Sequence, residues 1–212
     1  MTVMPTTEPN LAFAELASDE RIARTVAGLG PRGIAAEVVD NGAAARARVL
    51  ELLPLGAEVF TSLSETLAET GLAAEINDSG RYDAIRPKLA RLDRTPQRRE
   101  MKKLAAAPDF VVGSVAAITE DGEIMVASGS GSQLGHYAYE AGKVILVAGV
   151  QKIVRDAAEG LRRIEEYSLP LENERMVKAF GYPSSLAKIL TIRRDFPAGR
   201  TTLILVREKL GF

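Results

Sequence analysis

DFVVGSVAAITEDGEIMVASGSGS, Asp109 to Ser132, is the stretch whose reading decides the fold. Asp109 to Thr119 is almost continuously apolar and β-branched, the pattern of a strand buried on both faces, and Glu123 to Ala127 repeats it. Glu120-Asp121-Gly122 between them reads as a tight acidic turn. The second strand runs into Ser128-Gly129-Ser130-Gly131-Ser132-Gln133, where small residues let the backbone approach a ligand and offer several N–H and hydroxyl donors.

Working outward, helix and strand patterns alternate. Asn10 to Leu29 has helical spacing and stops at Gly30-Pro31. Ile34 to Asp40 reads as a strand, Asn41 as the cap of a helix to Leu53, and Glu58 to Thr61 as the next strand. Ser62 or Ser64 then caps a helix through Leu72, and Thr95 to Ala106 is helical. Lys143 to Val150 is a buried strand, Arg155 to Tyr167 and Leu171 to Phe180 are helices, and Lys188 to Arg193 with Thr201 to Val206 are expected to form a closing strand pair. This alternation predicts an α/β fold with helices on both faces of a mostly parallel sheet. An N-terminal helical segment, residues 1–30, precedes the α/β domain, residues 31–212. Ligands of such sheets sit beyond the carboxyl ends of the strands. Three loops are placed that way: Thr61 to Thr66, Ser128 to Leu134, and Gly149 to Lys152.

Composition excludes several chemistries. The 212 residues contain no cysteine and one histidine, His136, which removes disulfides, thiolate nucleophiles, zinc-thiolate sites and multi-histidine metal centres. No metal and no cofactor is therefore expected. With 27 basic against 28 acidic side chains the global field is weak, so neither nucleic acid nor a membrane is an expected partner. No apolar run reaches membrane-spanning length, and the N-terminus lacks the order of a signal peptide, so a cytoplasmic location is expected. No Gly-x-Gly-x-x-Gly follows the first strand and no Walker lysine pattern occurs, which disfavours the usual nicotinamide and ATP sites. Arg81 to Lys103 carries nine basic residues against three acidic ones; it reads either as a solvated helical connector or as a phosphate-seeking rim.

Seven motifs occur in order: VFTSLSETLAETGL (Val59–Leu72), RYDAIRPKLARLDRT (Arg81–Thr95), PDFVVGSVAAITEDGEI (Pro108–Ile124), ASGSGSQLG (Ala127–Gly135), VILVAGVQKIV (Val144–Val154), LPLENERM (Leu169–Met176) and the terminal GRTTLILVREKLGF. Together they closely resemble the LUD-domain family, which includes lactate-utilisation protein C. The resemblance implies a Rossmann-like α/β sandwich of the NagB/RpiA/CoA-transferase type. Many members carry a cysteine cluster where this chain reads AFGYPSSLAKIL (Ala179–Leu190), so a redox or metal role attached to that cluster does not transfer.

Glu120 is the first catalytic candidate. Thr119-Glu120-Asp121-Gly122 resembles the Ser-Glu-x-Gly turn in which class I CoA transferases place a catalytic glutamate, and a carboxylate there acts as nucleophile or base. The alternative reading is a simple polar hairpin turn, since Asp-Gly is a strong turn signal between apolar strands. The ligand-binding candidates are Ser62, Ser64 and Thr66, then Ser128, Gly129, Ser130, Gly131, Ser132 and Gln133, and Gln151 with Lys152, whose ammonium suits a phosphate or carboxylate. His136 beside Tyr137 reads as a structural imidazole or as a catalyst. Two function classes follow. One is a binder or enzyme of a small anionic metabolite, an organic acid, phosphorylated compound or CoA thioester, possibly linked to lactate utilisation. The other is a non-catalytic accessory or regulatory subunit working through a protein partner or as a homo-oligomer.

Overall fold

The computed structural model describes residues 8–212. Residues 1–7, which begin the expected segment 1–30 and most of the stretch read for a leader, lie outside the described residues. The expected helix from Asn10 is two elements. Leu11–Ala14 forms a 3-10 turn, and Ser18 starts α1 (Asp19–Leu29) by accepting the Arg21 N–H. Gly33, at φ 76°, turns the chain into β1 (Ala35–Val39), and Asn41 caps α2 (Gly42–Leu52) with the Ala44 N–H at 2.9 Å. β2 (Glu58–Thr61) leads to α3 (Glu65–Glu69), which Ser64 caps. The expected single helix through Leu72 is broken at Gly71, φ 70°, and a new one, α4 (Leu72–Asp78), follows. Then come β3 (Asp83–Ala84), α5 (Ile85–Ala90) and α6 (Arg98–Ala105).

The deciding stretch is three strands rather than two. β4 (Phe110–Gly113) ends where the chain leaves the parallel sheet, and β5 (Ala117–Thr119) and β6 (Ile124–Ser128) form the hairpin of a second sheet. A continuous apolar run reports burial, and burial on both sides of Gly113 hid the change of sheet. β7 (Lys143–Gly149), β8 (Ile153–Val154), α7 (Ala157–Arg163), α8 (Leu169–Phe180), β9 (Lys188–Ile192) and β10 (Thr201–Val206) complete the chain.

Six strands, in the order β1-β10-β7-β4-β2-β3, make an all-parallel sheet. The second sheet has the order β8-β5-β6-β9. The expected pair of Lys188–Arg193 with Thr201–Val206 does not form: β9 pairs antiparallel with β6, whereas β10 lies between β1 and β7. Each segment is apolar enough to be a strand, but periodicity carries no information about the partner.

One face of the parallel sheet packs Val59, Val112, Ile145, Val147 and Ile204 against Ala45 and Val49 of α2, Leu67 of α3, and Leu72 and Ile76 of α4. The other face packs Val111, Val144, Leu146, Leu203 and Leu205 against Leu29 of α1, Ile85 of α5 and the inner face of the second sheet, Ile118, Ile124 and Ile153. The outer face of that sheet, Ala117, Met125 and Val154, is closed by Ile164 after α7. No helix among the described residues is long and apolar enough to cross a membrane.

Candidate functional site

Chain order creates the crevice. β2 connects rightward to β3 through α3 and α4 on one face of the sheet, whereas β4 departs to the second sheet on the other face. The loops after β2 and β4 therefore diverge from neighbouring strands, the switch point at which open α/β sheets bind ligands. Ser62 follows β2, and its backbone N–H donates to the Val112 carbonyl at 2.9 Å. Gly113 and Ser114 follow β4. A Cβ on Gly113 would lie 1.7 Å from Tyr137 Oη and 2.8 Å from Ser62 Oγ, so glycine is required for the phenol to reach this edge. Burial pushes the Tyr137 phenol up to about 12; the Ser62 hydroxyl and the Ser114 backbone oppose this, yet neither makes an aligned hydrogen bond to Oη.

Lys152, from the turn after β7, is 1% exposed and enters the crevice from the adjacent strand. Its Nζ donates to Thr66 Oγ1 and to Ser114 Oγ, both at 3.0 Å. Those two hydroxyls are themselves 3.2 Å apart. Burial, then the Arg163 charge, push the lysine down to about 7, against the weaker pull of Glu69. Arg163, on α7, is fully buried. Its Nε donates to the Gln151 carbonyl, and Nη1 to the Ala116 carbonyl and Ser168 Oγ. Nη2 has no partner, and burial holds this guanidinium down, to about 10. Arg86 donates Nε to the Thr61 carbonyl at 2.6 Å and lies 4.8 Å over the Phe60 ring; burial lowers its pKa also. Among the described residues no carboxylate lies within ion-pair distance of Arg86, Lys152 or Arg163, although eighteen such pairs occur elsewhere in the fold. Buried charge is normally paired, so three buried cations without a carboxylate partner are the unusual feature of this part of the fold.

The chain segment after β10 covers this edge. Thr66 Oγ1 donates to the Leu210 carbonyl, Gln151 Nε2 donates to the Leu210 and Gly211 carbonyls, and the Gly211 N–H donates to Glu69. Glu208 accepts the Gly42 N–H at the start of α2.

Of the sequence candidates, the structure brings Ser62, Thr66 and Lys152 to one crevice, with Gln151 beside them and its Oε1 unpartnered. Ser64 serves as the α3 cap. The loop Ser128 to Gln133 closes on itself: Ser128 Oγ donates to Gln133 Oε1 and accepts the Gly131 N–H, and the Ser130 hydroxyl donates to Ser132. Gly129 backs onto Ser185 and Gly131 onto Lys188, so the loop lies against the segment leading into β9, with no hydrogen bond to Ser62, Ser64 or Thr66. Glu120 sits in the turn docked on α1, where its carboxylate accepts Arg21 Nε at 2.7 Å and Arg24 Nη1 at 2.6 Å. Gly28 and Gly122 make that docking possible, since a Cβ on either would fall 2.6 Å from the other segment's backbone. His136 is buried, its ring 4.4 Å from Phe60 and its Nδ1 3.0 Å from Glu140; burial holds it below its ordinary pKa, hence neutral.

Sequence reasoning did not select Ser114, Tyr137, Arg86 or Arg163. Ser114 lies inside the apolar run from Asp109 to Thr119, which does not mark the end of β4, and Arg86 was submerged in the basic stretch from Arg81 to Lys103. Arg163 and its neighbour Arg162 are indistinguishable in sequence, yet one is buried and the other pairs with Glu166 on the surface.

Comparison with a solved structure agrees with this architecture. A structure described as a DUF162 family protein from Deinococcus radiodurans matches with a TM-score of 0.53 at 15% identity, covering 91% of this chain and 99% of that one. The structure of eIF2B beta from Chaetomium thermophilum aligns with a TM-score of 0.35 at 15% identity, covering 57% of this chain and 41% of that one. No curated protein matches the chain by sequence. The LUD domain model matches residues 22–206, which takes in most of α1 and every strand of both sheets, and the chain belongs to the LUD-domain family.

Proposed function

We propose that the chain binds a small anionic metabolite, an organic acid or phosphorylated compound, at the carboxyl edge of β2, β4 and β7, with Lys152 and Arg163 as its charge partners. The observation that carries this reading is a pair of buried cations whose hydrogen bonds go to hydroxyls and carbonyls alone, with Arg163 also lying 5.1 Å over the Tyr167 ring and no carboxylate at ion-pair distance from either. Leaving a guanidinium Nη2 unbonded in the interior costs about 1–3 kcal/mol, a penalty that an anion relieves. Ser62, Thr66 and Ser114 supply hydroxyl donors, and Arg86 supplies a third positive charge at the β2 side. The same crevice would accept the acyl or phosphate end of a CoA thioester, and a place in lactate utilisation is part of this proposal.

Thermal denaturation in the presence of a panel of carboxylates, sugar phosphates and CoA esters tests it. One class is expected to raise the melting temperature, since a ligand at about 100 times its Kd adds roughly 2.7 kcal/mol to the folded state. Lys152→Met and Arg163→Met should lose that shift. A shift of equal size in both variants, or none with any member of the panel, overturns the reading.

A further inference from the structure

Lysines buried for structural reasons take a carboxylate; Lys152 takes two hydroxyl oxygens, each at 3.0 Å, and nothing else. A neutral amine has two hydrogens and one lone pair. Two donated bonds use both hydrogens, which leaves the lone pair of Nζ without a role in the fold. Close by, Arg163 holds an unpartnered Nη2 in the same interior, tied to the residue before the lysine through the Gln151 carbonyl and to the link between β4 and β5 through the Ala116 carbonyl. An amine with a spare lone pair and a guanidinium with spare N–H groups call for two different functions on one molecule.

We propose that Lys152 is a nucleophile that forms an imine with a small carboxylic acid bearing an aldehyde or ketone, the carboxylate being held by Arg163. The proposal rests on the anion-binding reading above and adds covalent chemistry to it. In the step, the Nζ lone pair attacks the carbonyl carbon, a C–N bond forms, and the C=O π pair moves to oxygen, which takes up a proton. Nitrogen then loses a proton, the hydroxyl departs as water with a second proton, and the C=N bond forms; one water is released and nothing is oxidised or reduced. Thr66 and Ser114 are positioned to pass these protons, because their hydroxyls touch Nζ and lie 3.2 Å from one another. Burial and the neighbouring guanidinium keep a large share of the amine unprotonated near neutrality, as such a nucleophile requires. Entry is through the segment 208–212, whose carbonyls rest on Thr66 and Gln151.

The test is reductive trapping with glyoxylate and sodium cyanoborohydride, which converts an imine to a stable secondary amine, followed by peptide mass mapping of every lysine. Because a surface amine is almost wholly protonated near pH 7.5, Lys152 is expected to be modified about a hundredfold faster than the exposed lysines. Acetone, which has the carbonyl but no carboxylate, should label Lys152 at least about tenfold more slowly, the worth of one charge-assisted hydrogen bond. Glu208→Ala, an exposed change that releases the covering segment from Gly42, should accelerate labelling of Lys152 with no effect at other lysines. Labelling of Lys152 at or below the rate of surface lysines in both the parent and Glu208→Ala overturns the proposal. Acetate and phosphate provide the separate control. If they raise the melting temperature while Lys152 resists trapping, the site binds anions without imine chemistry; if they and glyoxylate both fail, the anion-binding reading fails with it.

Discussion

Glu120 and Lys152 each stand one residue outside the neighbouring strands β5 and β8, Glu120 after Thr119 and Lys152 before Ile153, and their charges are treated in opposite ways. The carboxylate of Glu120 faces two guanidiniums, with Asp121 and Arg32 making a second pair in the same turn. These pairs join the β5–β6 turn to α1, across a contact so close that glycines are required on both sides. Neither Lys152 nor Arg163 has a carboxylate at ion-pair distance, and only the weaker pull of Glu69 reaches the lysine. A charge with full partners is explained by the fold it holds together; a buried charge without them costs stability and asks for a ligand. Residue type alone favoured the glutamate, and partner accounting moves the emphasis to the lysine.

Five substitutions break or sharpen this contrast. The largest effect is expected of Gly113→Ala, because its methyl would fall on Tyr137 Oη; a loss of about 3 kcal/mol or more, read by urea denaturation, is the overpacking cost at such a site. Retained stability would show that the phenol moves freely and that the crevice is not built around it.

Lys152→Met is expected to stabilise the free protein near pH 6 by about 1–4 kcal/mol while removing anion binding. The direction with pH is fixed by the lowered pKa. Between the folded value of about 7 and the ordinary 10.5 the unfolded chain holds more protons than the folded one, so the parent gains stability as pH rises through that window. Below it, lysine is charged in both states and bears the full burial penalty. The advantage of the methionine variant should therefore shrink steadily towards about pH 10, as denaturation series at several pH values would show. A constant advantage would mean that Nζ keeps its ordinary pKa in the folded protein, as a solvated amine does.

Glu120→Gln should cost about 1–2 kcal/mol, the scale of charge-assisted bonds to partly exposed arginines, and leave anion-induced thermal shifts intact. Loss of ligand response with unchanged stability would reverse the contrast and restore a chemical role to the turn. Smallest is Ser64→Ala, which removes the α3 cap for about 0.5–1 kcal/mol. It should not alter ligand affinity, whereas Ser114→Ala at the lysine should lower it by about tenfold.

By itself the sequence determined the local elements. Asn41 and Ser64 cap because a short polar side chain satisfies free N–H groups at a helix start, wherever that helix lies. Glu58–Thr61 forms a strand over the same residues that its apolar pattern marked, and the motifs from Val59 onward were sufficient to identify the family. Gly113, by contrast, looked like one more small residue in a single strand from Asp109 to Thr119; that a side chain there would collide with Tyr137 Oη is visible only once the chain is folded. Likewise, β9 and β10 were both legible as strands, but the sheet to which each belongs was not. The site was divided in the same way. Ser62, Thr66 and Lys152 were visible because they follow strands, which is a local property. Ser114, Arg86 and Arg163 were not, since the chemistry of a buried cation depends on which carboxylates fail to reach it. That absence is a relation among residues distant in sequence, and only the packing of two sheets around one crevice decides it.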